Sequence, residues 1–209
     1  MIPVKVLAVR YLANASSALC EALGAPKGYP SLAMLTTDCD DATYIALDAA
    51  TKAAEVEVTY GRSFYAGAAN ASTPNAGEVI GILAARTPGA VKSGMEAALA
   101  ALNRLGFAEE NGVPYLAHTV SSVGSFLAKE AGIPAGTAIA YLIAPPLEGM
   151  YALDAALKAA DVRLCKLYGP PSETNFGGGL LTGTQSACDA ACAAFAAAVA
   201  EVAARPIEQ

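Results

Sequence analysis

Apolar residues follow two different periods along this chain. In VEVTY at 56–60, Val56, Val58 and Tyr60 alternate with Glu57 and Thr59, the two-residue repeat of a half-buried strand. The apolar runs IPVKVLAV at 2–9, SLAMLTT at 31–37 and GEVIGILAA at 77–85 predict three more strands. Near the C-terminus the spacing becomes helical. Cys188, Cys192, Phe195, Val199 and Val202 form one apolar stripe on an alanine cylinder, suited to lying close against a sheet. With helices expected over 16–23, 43–54 and 88–105, the first half reads strand, helix, strand, helix, strand, strand, helix. That order predicts an α/β (α+β) fold built from a small mixed sheet with helices packed on it.

The second half repeats the first. ALDAATKAAEV at 46–56 and ALDAALKAADV at 152–162 share nine of eleven residues at an offset of 106. LGAP at 23–26 answers AGIP at 131–134, each closing a short helix with Gly and Pro. Further on, Thr87 matches Thr184 as a helix N-cap, and Val91, Met95 and Leu102 match Cys188, Cys192 and Val199, now at an offset of 97. The second copy is therefore nine residues shorter in between, against the loop FYAGAANASTPN at 64–75. Two tandem domains are expected, 1–108 and 109–209.

Composition narrows the function. Of 209 residues, 55% are apolar and 15% charged, which suits a protein with much of its surface covered by neighbours. A net charge of −6 with only 13 Lys and Arg offers no footprint for a nucleic acid. The five cysteines lack CxxC spacing and no secretory leader is visible, so reduced thiols in the cytoplasm are expected. The apolar run 190–200 is shorter than the ~20 residues that span a bilayer, so no membrane segment is expected. His118, the single histidine, stands in an apolar strand without an evident acid or nucleophile, which leaves an enzyme reading little support. Cys188 and Cys192 lie on the apolar stripe and read as buried structural residues; neither a metal nor a cofactor is expected. Asp38, Asp40 and Asp41 precede a helix and read first as caps that oppose its dipole. They do not have the spacing of a calcium loop. GGG at 177–179 lacks a phosphate-loop lysine and reads as a close approach of backbones.

The stretches DAALKAADVRL and FGGGLLTG, with DAATKAAEV and GAVKSG in the first copy, resemble the bacterial microcompartment shell domain. Two copies, each starting from a rotated point in the strand order, resemble the tandem, circularly permuted shell proteins, whose domain is ferredoxin-like. TTDCDDATYIALDAATKAAEVEVTYGRSFYAGAA, followed by TPNAGEV, is similar to the ethanolamine-utilisation type. The resemblance implies a structural, non-enzymatic homotrimer in the shell of a cytoplasmic microcompartment, tiling with other shell proteins around a gated central pore. It implies a ligand site for a small metabolite such as ethanolamine at Asp40, Asp41, Glu78, Phe107 and Thr182. It also implies a pore lined by Arg62, Ser63, Phe64, Tyr65 and Gly67, and an oligomer edge at Lys52 and Lys158. Two rivals remain at this point: a shell role in a choline or propanediol compartment, and a duplicated α/β enzyme or sensor using the acidic cluster.

Overall fold

A computed structural model describes residues 1–64, 78–170 and 175–207 of the chain. In chain order the elements are β1 (Ile2–Pro3), β2 (Val6–Leu12), α1 (Ser17–Ala22), β3 (Ser31–Thr37), α2 (Asp40–Ala53), β4 (Glu57–Ser63), β5 (Val79–Ala85) and α3 (Pro88–Leu102). They are followed by β6 (Gly106–Glu110), β7 (Val113–Val120), α4 (Ser125–Ala131), β8 (Ala138–Ala144), α5 (Pro146–Ala159), β9 (Val162–Tyr168), β10 (Gly177–Gly183) and α6 (Gln185–Ala204). The chain divides into two compact units. The N-terminal unit comprises Pro3–Leu105 and Gly124–Leu127, and the C-terminal unit comprises Met1–Ile2, Gly106–Val123 and Ala128–Gln209.

The N-terminal unit carries a sheet of order β2-β3-β5-β4. The C-terminal unit repeats it as β7-β8-β10-β9 and extends it with β6 and β1. Each α2 or α5 crossover skips the neighbouring place, and the return strand fills it. The observed pairs β2–β3, β3–β5, β4–β5, β7–β8, β8–β10 and β9–β10 are consequently antiparallel, where a mixed sheet was expected. The α/β fold with the predicted element order is borne out in both units.

The alanine-rich helices pack in pairs, α2 with α3 and α5 with α6, and lie on their sheets. In the C-terminal unit Leu142, Leu153, Leu181, Cys188, Phe195 and Val199 form the core, with Cys192 against it. A thiol in that setting loses hydration, and burial pushes Cys192 up to about 11. In the N-terminal unit a second cluster, Leu32, Ile82 and Ala84, lies beneath Cys20 and Leu23 at the α1 end. The GGG segment forms the first three residues of β10. A Cβ at Gly178, where φ is 154°, would lie 1.9 Å from the Leu142 carbonyl oxygen, so only glycine lets β8 and β10 pair here.

Two local expectations are corrected. The apolar run 2–9 is two strands, because Pro3 has no N–H to continue a ladder and the Lys5 N–H donates to the Asp38 carboxylate at 2.7 Å. Tyr60 is 37% exposed although alternation puts it inside, since a register shift between Val58 and Tyr60 turns it outward.

Candidate functional site

Three strand ends meet at one edge of the N-terminal sheet. Val79, the first residue of β5, faces Thr37 at the end of β3 and Ser63 at the end of β4. Glu78 stands just before it. Its N–H donates to the Thr37 carbonyl at 2.8 Å, and its own carbonyl accepts from the Phe64 N–H at 2.9 Å. The first turn of α2 begins three residues after Thr37 and brings Asp40 and Asp41 to this edge. Thr37 anchors the connection: its hydroxyl accepts from the Cys39 N–H at 3.1 Å and lies 2.7 Å from the Thr43 hydroxyl.

Asp40 and Asp41 are buried inside the first helical turn, not before it, and the N-cap Cys39 makes no side-chain cap. Their capping role is therefore limited to opposing the dipole, with Asp40 accepting the Asp41 N–H at 2.9 Å. The Ser63 hydroxyl bonds to Asp40 and also to the Tyr44 hydroxyl, which links β4, α2 and the acidic edge. Burial raises Asp40 above the usual carboxylate range, partly offset by the Ser63 bond. Glu78 is raised as well, by burial first and then by repulsion from Asp40 and Asp38. Glu78 therefore lies within electrostatic reach of Asp40. Cys39 lies beside them, and burial with the Asp41, Asp40 and Glu78 charges holds it as an unreactive thiol.

Among the described residues no ion pair includes Asp40 or Glu78. A buried and a half-buried carboxylate, both with raised pKa and no cation of their own, favour either a proton or a small positively charged ligand. Phe107 and Thr182 belong to the C-terminal unit. Phe107 of β6 meets Phe176 edge-on at 5.8 Å, and the Thr182 hydroxyl of β10 donates to the Ala138 carbonyl at 2.8 Å. Among the expected pore residues, Ser63 is engaged in the acidic network, Arg62 is exposed with its guanidinium 5.8 Å from the Tyr60 ring centre, and Phe64 is 37% exposed. Tyr65 and Gly67 lie outside the described residues.

Lys52 pairs at 3.2 Å with Asp48, which is fully buried, whereas Lys158 pairs at 2.5 Å with the exposed Asp154. Sequence reasoning overlooked Asp48 and Tyr44. Asp48 sits in a motif shared by both copies, so nothing in the string marks one aspartate as buried.

A BMC domain model matches residues 31–114, from the first residues of β3 past the end of β6. The family's own element order thus begins inside the N-terminal repeat, as a rotated starting point requires. The chain is 56% identical to the bacterial microcompartment shell protein EutL of Clostridium perfringens, over 97% of this chain and 95% of that protein. The chain belongs to the EutL family of bacterial microcompartment shell proteins. EutL of Escherichia coli is 48% identical over 98% of this chain and 95% of its own length. The crystal structure of the ethanolamine utilization protein EutL from Leptotrichia buccalis superposes with a TM-score of 0.95 at 57% identity, covering 100% of this chain and 98% of that one. These EutL relatives are named as shell or ethanolamine-utilisation proteins and not as enzymes, which removes the duplicated-enzyme rival.

Proposed function

We propose that this chain is a homotrimeric, pore-forming subunit of an ethanolamine-type microcompartment shell in the bacterial cytoplasm, assembling beside other shell proteins and binding a small protonated amine at Asp40, Asp41 and Glu78. The shell role is that of its family. Two similar but unequal repeats suit a trimer, since three copies about one axis give an alternating six-domain ring. Arg62, Ser63, Phe64, Tyr65 and Gly67 would line the central opening, and Lys52 and Lys158 would stand near the outer rim.

The observation that carries the amine reading is the buried Asp40 carboxylate with the half-buried Glu78, which its charge repels, at the same sheet edge. An ammonium group supplies the charge and the donors they lack, and a ligand hydroxyl can use Ser63 or Tyr44. Thermal unfolding with and without millimolar ethanolamine tests it. Ethanolamine raises the melting temperature of the wild type, because it binds the folded form alone. Asp40→Asn abolishes that shift. An unchanged shift in the variant removes the site from this edge.

A further inference from the structure

LDAA occurs at 47–50 and again at 153–156, and the two aspartates stand in opposite surroundings. Asp48 is fully buried and accepts the Gly124 N–H at 2.7 Å and the Leu127 N–H at 2.9 Å. Asp154 is 63% exposed. The segment that covers Asp48 also has a counterpart. Gly24 and Gly132 both follow short helices at positive φ, 71° and 64°. Both carry the same closing bonds: Gly24 to Glu21 with Ala25 to Cys20, and Gly132 to Lys129 with Ile133 to Ala128. This register sets Gly124–Leu127 against 16–19. Leu127 is 1% exposed, whereas Leu19 is 40% exposed.

Side-chain sizes are exchanged between the two settings. In the covered one, Phe126 lies over Gly61, where a Cβ would meet its ring at 3.5 Å. Gly61 pairs with Gly81 across its ladder and Leu167 pairs with Gly179, so Leu167 takes the place of Gly61 and Ala18 that of Phe126. Large over small becomes small over large, which conserves volume. Leu167 is 53% exposed, so the larger partner is present and bare.

We infer that a second copy of this chain covers the α5–β9 face with its segment 16–19, setting Ala18 on Leu167 and the Ser16 N–H against Asp154. The inference rests on the trimer reading, in which a head-to-tail contact between unlike repeats closes after three copies. It is the wider of the two contacts. A Cβ at Gly124 would lie 2.2 Å from the Thr51 hydroxyl, and Ser16 carries that Cβ, so its backbone stands further off. Correspondingly, the Leu19 N–H keeps the Ser16 hydroxyl as its acceptor at 3.3 Å.

A charge-swap series followed by sedimentation velocity over a dilution range tests the contact. Ser16→Asp retains a capping side chain while setting a carboxylate against Asp154, and Asp154→Lys reverses the opposite side. The wild type sediments as a trimer, and each single variant raises the dissociation midpoint by about tenfold or more. The S16D/D154K double variant returns it towards the wild-type value, which also shows that both substitutions fold. A wild type that is monomeric throughout overturns the trimer and this contact together. A trimeric wild type whose single variants are unshifted, or whose double variant is not rescued, overturns the contact alone.

Discussion

Asp48→Ala removes the acceptor of two backbone N–H groups that the protein buries at Gly124 and Leu127. Hydrogen bonds to a charged acceptor contribute roughly 1.5–3 kcal/mol each, and a buried donor left without a partner adds a further desolvation penalty. Partial rescue by water entering the gap limits the sum, so a loss of about 3 kcal/mol is expected, or about a hundredfold in the opening equilibrium. Within one chain the same substitution at Asp154 removes only an exposed i,i+4 pair with Lys158, whose side chain is 74% exposed, and such pairs contribute about 0.3–0.5 kcal/mol. Amide hydrogen exchange resolves the two because it reads the segment directly. In Asp48→Ala the peptide spanning 124–127 exchanges about a hundredfold faster, whereas in Asp154→Ala it is as protected as in the wild type. Equal protection in the two variants would refute the reasoning, since it would mean that the buried acceptor contributes no more than the exposed one.

Further outcomes follow from the acidic edge and the tight strands. Burial raises Asp40 and Glu78, so the folded protein keeps their protons to higher pH than the unfolded chain. The stability they contribute is therefore full below the ordinary carboxylate range near ~4 and is lost as pH rises through their raised values. Asp40→Asn should flatten this part of the urea-unfolding pH profile and stabilise the ligand-free protein at neutral pH. Gly178→Ala should destabilise the C-terminal unit by more than about 2 kcal/mol in urea unfolding, because its Cβ would meet the Leu142 oxygen at 1.9 Å. Gly89→Ala, where a Cβ meets nothing within 4 Å and the residue is helical, should stabilise by about 0.5–1 kcal/mol. Cys39 should resist alkylation by iodoacetamide at pH 8 in the folded protein, as read by peptide mass, because burial and neighbouring carboxylates hold it as the thiol.

The repeated order of elements was legible because strand and helix periods are local, and the duplicated strings align them. The apolar stripe from Cys188 to Val199 reaches the core as its spacing indicates. What was not legible depends on contacts distant in sequence. A bulge at Val58–Tyr60 turns Tyr60 outward, and no alternation rule announces it. Splitting of the run 2–9 follows from the Lys5 bond to Asp38 and from the proximity of Ile2 to Gly106, where a Cβ would lie 2.3 Å from the Ile2 oxygen. At the acidic edge, the residue type and position of Asp40 and Glu78 were readable. The Ser63–Tyr44 link was not, because it depends on where β4 ends relative to α2.

The membership of Gly124–Leu127 in the N-terminal unit has a consequence for biosynthesis. A nascent chain that has emerged only as far as Leu105 contains every strand of the N-terminal sheet, yet Asp48 and Thr51 still lack the N–H donors that Gly124, Ser125 and Leu127 supply. Completion waits until translation has passed Leu127, by which time β6 and β7 are also out of the ribosome. The two halves of the duplication therefore mature as overlapping products of synthesis, and a gene cut at the repeat boundary would encode a first half that can begin to fold but cannot finish.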